Sequence, residues 1–214
     1  MTLSDFANHL VALLVIANPL SALTAMIRVT YNQSVAQKRH TALMVLIASS
    51  SIMLIAAWVG KPLLAILGIK LPAFQVAGSI IILFLAFSML YAEESPMKQS
   101  PEEQKEKIRG DSGAIVPLAI PIIAGPGTIT TIIVSVNDFP GLLSQLFISL
   151  SGILVAFLIY IVLFFSHDVE RLIGQRGVNI FNRIGGLLLA AIAIQSMANG
   201  ILGLFPILNI SEAN

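Results

Sequence analysis

Residues 12–24, ALLVIANPLSALT, and residues 119–131, AIPIIAGPGTITT, align without a gap at an offset of 107 positions, and five of the thirteen pairs are identical. The same offset sets Phe74 on Phe181, Gly78 on Gly185 and Ala86 on Ala193, so the chain reads as two copies of one module. Both stretches are apolar, and both are interrupted by a proline at the same register. In a membrane protein, paired interruptions at matching places in two halves point to a transport site. The chain therefore reads first as a small secondary transporter.

Composition supports the membrane premise. Of 214 residues, 57% are hydrophobic and 11% charged, and the mean hydropathy is +0.91. That is more apolar surface than a water-soluble domain of this size needs to bury. The net charge of +1, with no basic patch interleaved with aromatics, gives no sign of a nucleic-acid partner. The absence of cysteine removes disulfides and thiolate chemistry without indicating a compartment. Asp5 precedes the first apolar stretch and no small-residue cleavage pattern follows it, so this stretch is expected to be a retained span and not a signal peptide.

A spanning helix takes roughly 20 mostly apolar residues, and six windows qualify: about 6–27, 41–60, 72–92, 113–135, 142–165 and 178–204. The expected architecture is all-α, with six membrane helices arranged as a first three-helix repeat (1–92), a charged cytoplasmic linker (93–112) and a second three-helix repeat (113–214). Arg28, Lys38, Arg39, Lys98, Lys105, Lys107, Arg109, Arg171, Arg176 and Arg183 fall on one side of such a topology, and Lys61 and Lys70 on the other. Lys and Arg concentrate in cytoplasmic loops, so both termini are expected outside the cytoplasm, on the periplasmic side in a bacterium. An odd number of spans per repeat makes the second copy inverted.

Proline in a helix interior removes a backbone donor and clashes one turn back, and flanking glycine weakens the helix further. Gly125, Pro126 and Gly127 should open the fourth span near mid-membrane, and Asn18 and Pro19 the first, more mildly. Irregular backbone at that depth is tolerated only when packed in protein or lining a cavity. Each restarting helix, at Leu20 and Ser21 or at Gly127 and Thr128, directs its amides and positive dipole end inward, an arrangement suited to a carboxylate. Ser21, Thr24, Thr128, Thr130 and Thr131 can add hydroxyls, while carbonyls ending the preceding half-helices suit an ammonium group or a cation. A small zwitterion with a short neutral side chain fits. The alternative is that the prolines only kink structural helices, with Asn18 and Ser21 capping locally.

The other polar residues are sparse. No Asp or Glu lies in the apolar part of a span, so no carboxylate relay is visible. Arg183, inside the last span, either neutralises a substrate carboxylate, forms a gate or snorkels to the headgroups. Gln75, Asn182, Gln195 and Asn199 read as interhelical hydrogen-bonding groups, and Gly78, Ser79, Gly185 and Gly186 as close-packing positions. His9, His40 and His167 have no neighbouring cluster of ligands, so no metal site is expected. No enzymatic motif appears, and no cofactor is implied.

Four motifs carry a resemblance across essentially the whole chain: ANPL at 17–20; LPAFQVAG at 71–78; VPLAIP at 116–121 followed by AGPGT at 124–128; and GVN at 177–179 leading to RIGGLLLA at 183–190. The chain resembles the MarC family of bacterial and archaeal inner-membrane proteins. The resemblance implies a six-span inverted-repeat protein related to the SnatA-type transporters of small neutral amino acids such as glycine and alanine. It carries the site onto Asn18, Pro19, Gly125, Pro126, Gly127 and Thr128, with Arg183 matching a basic residue usual at that place. Gln75 stands where arginine is common in the family, and Ser79 where a second glycine is, so no symmetric arginine pair carries over. Alternating access with a coupling proton or sodium ion is the leading reading. An exporter or channel for another small solute, and a non-transporting membrane interaction protein, are its rivals.

Overall fold

The structure, a computed structural model, describes residues 1–30, 33–91 and 123–205. Among the described residues it is helical throughout, with no strand: α1 (Leu3–Ala17), α2 (Pro19–Val29), α3 (Val35–Ile66), α4 (Leu71–Leu90), α5 (Pro126–Asp138), α6 (Leu142–Phe164) and α7 (Ser166–Leu204). The expected linker at 93–112, the first half of the fourth span, and Pro117 and Pro121 lie outside the described residues.

Five stretches are long and apolar enough to cross a membrane: Leu3–Ile27, Val35–Ile66, Leu71–Leu90, Leu142–Phe164 and Ile180–Leu204. These match five of the six expected windows; of the remaining one, residues 123–135 are described, and α5 begins within them at Pro126. The helix α3 is longer than its window and runs through Pro62. A proline there forfeits only the bond to the Trp58 carbonyl, with little more than one turn of helix left to follow.

The spanning helices are apolar on every side. Leu13, Met53, Ile148 and Ile159 are buried in the interior, while Ile55, Phe84, Phe157 and Leu187 lie on outward faces. In water such a surface would aggregate; a hydrocarbon solvent accommodates it.

The packing places α4 against α7 and α3 against α6 as the two most extensive pairs. The antiparallel α4–α7 contact is built on small residues. A Cβ at Gly186 would stand 2.9 Å from the Ala86 carbonyl, and one at Gly200 would stand 3.0 Å from the Pro72 carbonyl, so the backbones approach as they do at small-residue seams between membrane helices. Gln75 Nε2 donates to Ser196 Oγ across the same seam at 3.4 Å, as expected of an interhelical group. Gln195 and Asn199 differ from expectation: they bond to each other at 3.3 Å on an exposed side of α7, because residues four apart share a helix face. The α3–α6 pair is joined by Trp58 Nε1 donating to Ser149 Oγ at 3.1 Å and Gln145 Nε2 donating to the Ala57 carbonyl at 2.9 Å. At its other end, Arg39 lies over the Phe164 ring, 4.5 Å from the centroid.

Candidate functional site at the two helix breaks

The first break is one residue wide. Asn18 closes α1 and opens α2 in the left-handed region (φ 46°, ψ 80°), the only non-glycine residue with positive φ among those described. That conformation costs a residue with a Cβ about 1–2 kcal/mol, and Asn tolerates it because its short amide bonds locally. Asn18 Oδ1 accepts from the Ser21 amide at 3.2 Å, and Nδ2 donates to Ser21 Oγ and to Met89 Sδ, the latter at 3.2 Å. Pro19 is the first residue of α2, where its missing N–H costs nothing; in a continuous helix that N–H would have served the Val15 carbonyl.

The second break has no such side chain. Gly125 precedes α5 in extended conformation and supplies no side-chain cap, and Pro126 takes the first helical position. Gly125, Gly127 and Thr128 are buried, and Pro126 is exposed. Thr128 Oγ1 donates to the Ile123 carbonyl at 2.8 Å, bridging the interruption. Both prolines thus begin helices instead of sitting inside them.

The face of α4 bearing Gly78, Ile82, Ala86 and Met89 joins the two breaks. A Cβ at Gly78 would collide with the Thr130 side chain of α5, and one at Gly127 would stand 2.8 Å from Ile82 Cγ1. Two turns along α4, Met89 receives the Asn18 amide. A Gly127 Cβ would also lie 3.2 Å from Ile16 Cγ2, so α5 restarts directly beside the end of α1.

Of the residues singled out from sequence, Asn18, Pro19, Leu20, Ser21 and Thr24 are contiguous at the first break, and Gly125, Pro126, Gly127, Thr128 and Thr131 at the second. Three of the five hydroxyls expected as ligand donors engage backbone carbonyls: Thr24 that of Ser21 and Thr131 that of Gly127, each at 2.9 Å, and Thr128 that of Ile123. Arg183 is exposed and about 200° around α7 from Gly185, whose face meets Met89. It is not gathered with the breaks. Ile16, Ile82 and Met89 line the junction, and the sequence reading passed over them because apolar residues fill every span. His9 and Ser135, bonded at 2.9 Å between α1 and α5, were also missed as a pair, since 126 positions separate them.

Helices of this length and apolarity, with interrupted backbone enclosed among them, define a multi-pass helical membrane protein. The sequence matches the MarC family of integral membrane proteins over residues 3–205, and the chain belongs to that family. Among its relatives are a UPF0056 membrane protein of Buchnera aphidicola, 32% identical over 95% of each chain, and the UPF0056 inner membrane protein MarC of Citrobacter koseri, 34% identical over 90% of this chain and 92% of that one. A UPF0056 membrane protein of the archaeon Methanocaldococcus jannaschii is 34% identical over 95% of this chain and 89% of its own. No solved structure matches.

Proposed function

We propose that the protein is an ion-coupled carrier of small neutral amino acids, of the glycine and alanine class, working by alternating access in the inner membrane. The observation that carries this reading is the meeting, in the protein interior, of the break between α1 and α2 with the uncapped start of α5, where irregular backbone is otherwise costly. The substrate carboxylate is assigned to the amides of Gly127 and Thr128, at a helix start with a positive dipole end and no side-chain cap. The corresponding α2 amide of Ser21 is already capped by Asn18. The ammonium group is assigned to the end of α1, where Pro19 leaves the Val15 carbonyl without its helical donor. The crowding of Gly127 by Ile16 and Ile82 favours substrates with little or no side chain.

The packing pattern supports an inverted repeat. The helix α2 packs on α6 and α7, and α5 packs on α3 and α4. The 107-residue offset exchanges these two sets, and maps the α3–α6 and α4–α7 pairs onto themselves. In this topology both termini lie on the periplasmic side, and Arg39 lies at the cytoplasmic end of the α3–α6 pair.

The test is uptake of labelled glycine and alanine into proteoliposomes under imposed proton and sodium gradients. Saturable uptake inhibited by unlabelled glycine, but far less by acetate or ethylamine, each of which lacks one of the two charges, is the expected result. Flux that does not saturate would indicate a channel, and no flux of any tested solute would favour a non-transporting role.

A further inference from the structure

Among the described residues, His9 is the only titratable side chain buried within a spanning helix, at 7% exposure. Its Nδ1 lies 2.9 Å from Ser135 Oγ, and its Nε2 is buried with no hydrogen-bond partner among the described residues. Whichever nitrogen carries the proton, Nε2 is left over, as a lone pair or as an unused N–H. A buried polar atom without a partner costs about 1–3 kcal/mol, and an ionisable group placed inside a membrane protein at such a cost points to function.

Its position gives that function a direction. His9 precedes the first break, Ser135 follows the second, and the same two helices meet again where Ile16 lies beside Gly127. The imidazole therefore sits about two turns, or ~11 Å, from the junction, on the N-terminal side of the seam between the halves. We propose that His9 is a pH-sensitive gate on that seam, whose protonation admits solute from the N-terminal side without the proton itself crossing. The ring takes one proton from water to become imidazolium when α1 and α5 part on that side, and returns it before they close.

The charges around it explain why closure requires the neutral ring. On α1, Asp5 lies one turn away, but its carboxylate already accepts from the Thr2 amide and hydroxyl at 2.7 and 2.8 Å. On α5, Asp138 is exposed. The helix α6 carries no charged residue, Tyr160 being its only titratable group. Arg183 of α7 is exposed, as is Lys61, which follows the Gly60 of α3 that packs against Ile133. No carboxylate is buried beside the ring among the described residues, and an unpaired buried charge is strongly unfavourable. Protonation thus favours the parted, hydrated seam, and deprotonation the closed one. Histidine ordinarily titrates between about pH 5 and 8, which suits it to this role.

The inference rests on the carrier reading above, and the experiment separates the two. Labelled glycine uptake is measured in proteoliposomes held neutral throughout, with acid outside only, or with acid on both sides, alongside counterflow at neutral pH. In the wild type outside acid should raise uptake several-fold, whether or not the interior is acid too. In His9→Gln that stimulation should vanish while measurable counterflow shows that the variant is folded. Ser135→Ala should keep the stimulation but move the pH of half-maximal uptake alkaline by about half a unit to one unit, because the neutral ring loses a hydrogen bond. Full stimulation in His9→Gln, or an unmoved profile in Ser135→Ala, would overturn the inference and leave the carrier reading standing. Wild-type uptake that ignores outside acid, or that is stimulated only while the interior stays neutral, would do the same, and a wild type without any flux would overturn both.

Discussion

The two breaks occupy one register of the repeat, yet they are made by opposite means. At Asn18 a side chain does the work, bending the backbone into the left-handed region and capping the helix it starts. At Gly125 and Gly127 the side chains are missing, and the bare Gly127 lets α5 press against Ile16 and Ile82 with its first amides uncapped. A helix start capped from within has less left to offer a ligand than one that is bare. Under the proposed carrier function, the difference assigns anion recognition to the second break and structural support to the first.

That division can be broken by substitution. The largest effect is expected from Gly127→Val, whose side chain would have to displace both Ile82 and Ile16; uptake should fall more than about tenfold, while size-exclusion chromatography shows a folded protein. A Gly127→Val protein with full uptake would remove the second break from the site. Next comes Asn18→Ala, which loses the cap and places an unsuited residue at positive φ, for a loss of about 2 kcal/mol read as a lower unfolding midpoint. Asn18→Gly should recover most of that loss, because glycine adopts the conformation freely; equal damage from both would mean that the bond to Met89 matters more than the backbone. Thr128→Val removes the hydroxyl that satisfies the Ile123 carbonyl and should cost about 1 kcal/mol, with Thr128→Ser close to wild type. Smallest is Ser21→Ala, at roughly 0.5 kcal/mol with near-normal uptake. A Ser21→Ala variant that lost uptake altogether would reverse the roles assigned to the two breaks.

Five of the six expected spans, and the prolines at which α2 and α5 begin, were legible in the sequence, because a run of about 20 apolar residues and a proline within it are local signals. The shape of the breaks was less so. Proline alone suggests a helix broken around it, whereas the structure makes each proline the first residue of a new helix, a choice that depends on what stands before it. The use of the Thr24, Thr128 and Thr131 hydroxyls by backbone carbonyls was hidden for a similar reason, since a threonine in a helix has two competing partners. Least legible was whatever joins distant segments. The alternation of Gly78, Ile82, Ala86 and Met89 along α4 looks like any apolar helix until α5 and α1 are placed against it. Likewise, His9 reads as an isolated polar residue until Ser135 is brought to it from the other half. Arg183 shows the converse: a lone charge in an apolar run draws attention, but the turn of α7 puts it on an exposed side.

The central claim, a saturable carrier whose site lies at the bare start of α5, is tested most directly by glycine counterflow in proteoliposomes holding either the wild type or Gly127→Val. Counterflow needs no coupling ion, so it probes the site alone. Saturable exchange in the wild type that is lost in the folded variant is the predicted result; equal exchange in both, or none in the wild type, would contradict the account.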